Sequence, residues 1–116
     1  LQLGRIVQSD GRSELTRKGE PVEKLYFLTD GEAEIEVAGG QIIRLRDIFI
    51  GEIAFLTGQA ASATVTIDKG SHYISWPSAA LRASFDRQPE LARAMEQAMN
   101  RDMAKKVVGN SGRVPE

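Results

Sequence analysis

Turn-forming residues punctuate the first half of this chain so closely that only short segments lie between them. Gly11, Gly19, Pro21, Gly31, Gly39, Gly40 and Gly51 divide it at hairpin-like spacing, which is the punctuation of a β-protein. Alternation supplies the rest. In Glu32-Ala-Glu-Ile-Glu-Val37 the apolar Ala33, Ile35 and Val37 alternate with three glutamates, so one face is set for burial and the other is acidic. Gln41-Ile-Ile-Arg-Leu-Arg46 repeats the pattern, with Ile43 and Leu45 against Arg44 and Arg46. Joined through Gly39-Gly40, the two strands are expected to set these arginines across from the glutamates, each pairing worth about 0.2–1 kcal/mol. Leu25-Tyr-Phe-Leu28 and residues 32–37 flank Thr29-Asp-Gly31, an Asp-Gly signal that reads as a hairpin. Residues 62–67 and 71–76 read as another hairpin around Asp68-Lys-Gly70.

After Trp76 the pattern becomes helical. Pro77 suits the first position of a helix, where a missing N–H costs nothing, and Ala79-Ala-Leu-Arg-Ala-Ser-Phe85 continues it. Pro89 and Glu90 open a second helix. Leu91, Met95, Met99 and Met103 recur every four residues with Ala94 and Ala98 beside them, while Arg93, Glu96, Arg101 and Lys105 are expected to face water. The predicted fold class is therefore mainly β: an antiparallel, jelly-roll-like β-roll (a double-stranded β-helix) followed by two C-terminal helices. One domain is expected over residues 1–108. Residues 1–12 are its lead-in, 13–76 the roll and 77–108 the helices, and a disordered tail is expected over 109–116.

Composition narrows the function classes. A net charge of −1 leaves no basic excess for a general nucleic-acid binder. There is no cysteine, so thiolate chemistry and disulfides are excluded, and a reducing compartment fits. The one histidine, His72, cannot build a metal site of two or three histidines or a nucleophile–base pair, and reads as a structural or surface residue. No Walker-type run occurs, and no apolar stretch approaches the roughly 18 residues that cross a bilayer. An enzyme is not expected, and neither a cofactor nor a metal is called for. The chain begins at Leu1 rather than methionine, so it is expected to be a piece of a longer protein.

The most informative stretch is residues 51–65. Gly51-Glu52 opens a short apolar turn, Gly58 ends it, and Ala63-Thr-Val-Thr-Ile67 follows as a strand. A glycine leading into a short helix leaves outward-pointing N–H groups, a cradle for phosphate. The stretch resembles the phosphate-binding cassette of cyclic nucleotide-binding domains, of the cAMP-receptor and kinase-regulatory type. Leu15-Thr-Arg-Lys-Gly-Glu20 resembles the strand and glycine-acid pair that begin that domain. Residues 25–35 resemble its Leu-Tyr-x-Ile-x-x-Gly-x-Val-x-Val hairpin, and Phe49-Ile-Gly-Glu-Ile53 is similar to its Phe-Gly-Glu with Ile50 added. Tyr73-Ile-Ser-Trp-Pro-Ser78 and the Leu81–Phe85 stretch resemble its last strand and following helix. A weaker similarity links the chain to the Popeye-type branch of the fold, whose own Asp-Ser-Pro-Glu and Phe-Gln-Val-Thr motifs are absent here.

The resemblance implies a ligand site built from Gly51, Glu52, Ile53, Ala54, Ala61, Ser62, Ala63 and Thr64. Glu52 would accept from the ribose 2′-hydroxyl. The backbone N–H groups of Ile53 and Ala54 would bind the cyclic phosphate, with Ser62 and Ala63 adding contacts and residues 91–103 forming a lid over the base. In the family an arginine just before the Ser-Ala-Thr run pairs with the phosphate, and here that position is Ala61. Removing one partner of such a pair costs about 2–5 kcal/mol, which moves a micromolar site roughly thirty- to several-thousand-fold toward millimolar. Arg44, Arg46, Lys69 and Arg82 do not occupy the arginine's sequence position. Two readings follow from this. In one, a cytosolic, non-catalytic regulatory module binds cAMP or cGMP weakly, within a larger chain for which membrane attachment is one alternative. In the other, a ligand-independent interaction or dimerisation module uses the 90–108 helix.

Overall fold

A computed structural model describes residues 4–111, with side chains through residue 104 except at residue 38. Among the described residues eight strands and three α-helices follow one another, with a short 3-10 turn at Ala38–Gly40: β1 (Arg5–Gln8), β2 (Ser13–Thr16), β3 (Lys24–Asp30), β4 (Ala33–Glu36), β5 (Ile42–Leu45), β6 (Phe49–Ile50), α1 (Glu52–Thr57), β7 (Thr64–Ile67), β8 (His72–Pro77), α2 (Ser78–Arg87) and α3 (Pro89–Ser111). They form two four-stranded antiparallel sheets, ordered β1-β8-β3-β6 and β2-β7-β4-β5, with the helices after them. This is the β-roll with C-terminal helices that the sequence predicts.

The β4–β5 hairpin forms as expected, with Glu34 opposite Arg44. Arg44 Nη2 lies 3.2 Å from Glu34 Oε2, and Arg46 Nε lies 3.5 Å from Glu32 Oε2. Arg12 adds a third cation at 2.7 Å from Glu34 Oε1, and its hydrogen bond holds the Glu34 carboxyl below the usual glutamate range. The other two expected hairpins do not form. β3 pairs with β6 and β8, whereas β4 pairs with β5 and β7, so the Asp-Gly turn carries the chain from one sheet to the other. Likewise β7 pairs with β2 and β4, and β8 with β1 and β3, so residues 68–70 also form a corner between sheets. Burial is the physical reason. Side by side in one sheet, β3 and β4 would leave Leu28 and Ile35 on a shared face still in need of cover. Crossing between sheets buries Leu28, Ala33, Ile35, Ile43, Ile48, Ile50, Val65 and Ile67 in one cluster.

The two corners meet. Gly31 has φ 98°, and a Cβ there would fall 2.5 Å from Ser71 Oγ. Asp30 Oδ2 and His72 Nδ1 are 3.3 Å apart beside it, which gives His72 its surface role. Gly31→Ala is expected to cost about 1–3 kcal/mol, because it combines a left-handed φ with a contact that must give way. Urea unfolding measures this, and an unchanged midpoint would contradict the corner packing.

Below the first core, Leu25, Phe49, Phe55, Trp76, Leu81 and Met99 form a second cluster that seats the helices on the roll. Pro77 ends β8 rather than opening α2. It stays paired with Lys24 at ψ 129°, and the Ser78 N–H donates to Glu23 O at 2.9 Å instead of waiting unpaired. α3 begins at Pro89 as expected and packs against α2 and β5. Met99 is fully buried, and Met95 and Ala98 pack against the cluster, but Ala94 is exposed. Position 94 lies five residues before Met99, about 140° round the helix from it, which puts it off the buried stripe. The helix also continues through residues 109–111, past the expected start of the tail, because each added residue extends an existing ladder at little cost. Residues 112–116 lie outside the described residues.

Candidate functional site

Gly51 carries φ 86°, and a Cβ on it would sit 3.2 Å from both Lys24 O and Val22 Cγ1. Only glycine lets the chain leave β6 this close to the β3 backbone and turn at once into α1. The Phe55 N–H closes the first turn on Gly51 O at 3.0 Å, so the amides of Ile53 and Ala54 stand ahead of the helical ladder. Gly58, at φ 76°, ends the helix by donating its N–H to Ala54 O at 2.8 Å.

Beside this turn lies a cavity of about 410 Å³. Gly51, Glu52, Ile53 and Ala54 line it from the start of α1. Ala61, Ser62 and Ala63 line it from the segment leading into β7. Ile35, Val37, Ile43 and Val65 give it an apolar sheet wall, and Met103 of α3 borders it. Of the eight expected site residues, Thr64 alone is not in the lining. Its Oγ1 accepts the Lys18 N–H at 3.0 Å instead. Glu52 is 2% exposed, so the cavity contains a buried carboxylate at the first turn of a helix, where the backbone dipole favours negative charge. Of the expected lid, residues 91–103, Met103 is the member that reaches the cavity.

Arg44, Arg46, Lys69 and Arg82, weighed above against the arginine's position, do not line the cavity. Arg44 and Arg46 are held by Glu34 and Glu32. Lys69 is exposed in the corner between β7 and β8. Arg82 reaches the other end of α1, where Nη2 donates to Phe55 O at 2.6 Å and the guanidinium lies 4.7 Å from the centroid of the Phe55 ring. It satisfies a carbonyl that a helix C-terminus would otherwise leave unpaired, and so ties α1 to α2. Instead, Lys18 and Thr16 line the cavity. Lys18 lies in Leu15-Thr-Arg-Lys-Gly-Glu20, quoted above only as the beginning of the domain. Its place at the cavity depends on pairing between segments more than forty residues apart, which no local pattern encodes.

That pairing is well defined. Thr16 Oγ1 donates to Ala63 O at 2.9 Å, the Gly19 N–H donates to Ala61 O at 2.9 Å, and the Ala61 N–H donates to Glu20 O at 2.9 Å. Residues 16–20 are thus laced to residues 61–64. Among the described residues, no group of three His, Cys, Asp or Glu side chains could hold a metal ion, and no helix is long and apolar enough to cross a membrane. An apolar wall with a few polar groups is the usual lining of a small-molecule pocket.

Comparisons with known proteins point the same way. Residues 8–88 match the family described as cyclic nucleotide-binding domain. A Rhodopseudomonas palustris protein bearing a potassium-channel name is 36% identical over 101 residues, covering 84% of this chain and 24% of that protein. The chain thus spans about a quarter of that relative's length. A cyclic nucleotide-binding domain from Methylobacillus flagellatus superposes with a TM-score of 0.82 at 15% identity, over 97% of this chain and 67% of that one. The c-di-GMP-responsive regulator CLP of Xanthomonas campestris gives 0.75 at 14% identity, over 95% and 57%. The Thermus thermophilus catabolite activator protein gives 0.71 at 16%, over 92% and 53%. At these identities the structural likenesses show the fold.

Proposed function

The chain belongs to the cyclic nucleotide-binding domain family, and from that premise we propose that it is a non-catalytic sensor module with a weakened nucleotide site. The observation behind this reading is the cavity. Seven of the eight residues named from the sequence border one 410 Å³ space, between the start of α1 and the segment before β7. Its weakness follows from Ala61, which lines that space with a methyl group where the family carries a phosphate-pairing guanidinium. The likeness to a channel-named protein supports a cytosolic module that regulates a larger, membrane-bound chain.

The ligand-independent reading has less support, because the apolar stripe of α3 is largely used within the domain. Met99 is buried, Met95 and Ala98 pack on the core, and Met103 borders the cavity. Isothermal titration with cAMP and cGMP is expected to give dissociation constants between about 0.03 and several millimolar, the range left after losing one charged pair from a micromolar site. Binding tighter than about 10 μM would refute the weakened site.

A further inference from the structure

We propose that Lys18 supplies the charge for the ligand's phosphate that Ala61 withholds, so that the site takes a singly charged phosphodiester from the opposing turn. The proposal rests on the nucleotide reading above. Lys18 occupies the second position of a turn closed by the Glu20 N–H on Arg17 O at 3.0 Å. The turn is fixed against the cassette on both sides of the lysine. The Lys18 N–H itself donates to Thr64 Oγ1, and the next residue, Gly19, donates to Ala61 O. The position where the family's arginine would stand is therefore bonded directly to the residue that follows Lys18.

The neighbouring cation, Arg17, does not line the cavity. Arg17 is engaged by Glu14 at 2.7 Å and Glu20 at 3.6 Å. Among the described residues no carboxylate pairs with the Lys18 ammonium, and its side chain is solvent-exposed at the cavity's edge. A lysine there is a point charge on a flexible stem, without the fork that lets arginine grip two phosphate oxygens. It would lower the cost of placing an anion near buried Glu52 without restoring full affinity, in keeping with a weak but charge-selective site.

The test uses heteronuclear NMR titration of the whole chain with cAMP and with adenosine, which has the base and ribose but no phosphate. The native chain is expected to prefer cAMP. Lys18→Ala keeps the backbone bond to Thr64 and is expected to weaken cAMP about five- to tenfold, between the values of an exposed and a desolvated charge contact, with adenosine unchanged. Lys18→Arg is expected to retain the preference. Unchanged cAMP affinity in Lys18→Ala, or equal weakening of cAMP and adenosine, would overturn the role of Lys18 and leave the pocket standing. Binding that appears only once Ala61→Arg is introduced would do the same. Silence toward both ligands in the native chain and in Ala61→Arg would overturn the nucleotide reading and this proposal with it.

Discussion

Ala61→Arg is expected to tighten cyclic nucleotide binding by roughly thirty- to several-thousand-fold, the converse of removing one member of a charged hydrogen-bonded pair. The backbone at this position is already prepared for the change. Both peptide groups of Ala61 are bonded into residues 19–20, and its side chain, 7% exposed, faces the cavity. The new guanidinium would share the cavity with Glu52, whose charge offsets part of the desolvation cost in the empty protein. The variant is therefore expected to unfold at a slightly lower temperature without ligand and to be raised more steeply by added cAMP. Gln59→Arg is the control. Gln59 is exposed and lies outside the cavity lining, so the same charge two residues before Ala61 projects to solvent and is expected to change affinity only a few-fold. Equal affinities for Ala61→Arg and the native chain would mean that the missing charge is not what limits the site.

The sequence carried most of the roll but not its strand connectivity. Alternation at residues 32–37 and 41–46 was enough to place β4 against β5 and Glu34 against Arg44, because both strands and their turn are local. The same kind of signal at Asp30-Gly31 and Asp68-Lys-Gly70 misled. A tight turn suits a hairpin and a sheet-to-sheet corner alike, and the choice is made by which apolar faces must meet across the core. The cassette was legible because its glycines and small residues are contiguous, and family resemblance supplied the roles. Lys18 was not, since its relevance arises only when residues 16–20 are laced to residues 61–64. Arg82 was ambiguous for a similar reason: a helical arginine can point several ways, and the Phe55 carbonyl and ring that fix it belong to another helix.

Helix α3 separates packing from ligand contact in a way that substitution can read. Met99→Ala is expected to cost about 2–5 kcal/mol of stability, because Met99 is fully buried with Leu25, Phe49, Phe55, Trp76 and Leu81 and its truncation leaves a cavity among them. Met103, one turn further on, is only partly buried and borders the cavity, so Met103→Ala is expected to cost under about 1.5 kcal/mol. Its larger effect should be on nucleotide affinity, through lost apolar cover. Urea unfolding and titration of the two variants together check this division. If Met99→Ala cost less than about 0.5 kcal/mol, α3 would be only loosely seated, and Met103 could not be held at the cavity by the core. If Met103→Ala proved the more destabilising, the cavity wall would itself be part of the folding core. A ligand entering it would then have to displace packing that the domain needs, and the weak site would owe as much to that displacement as to Ala61.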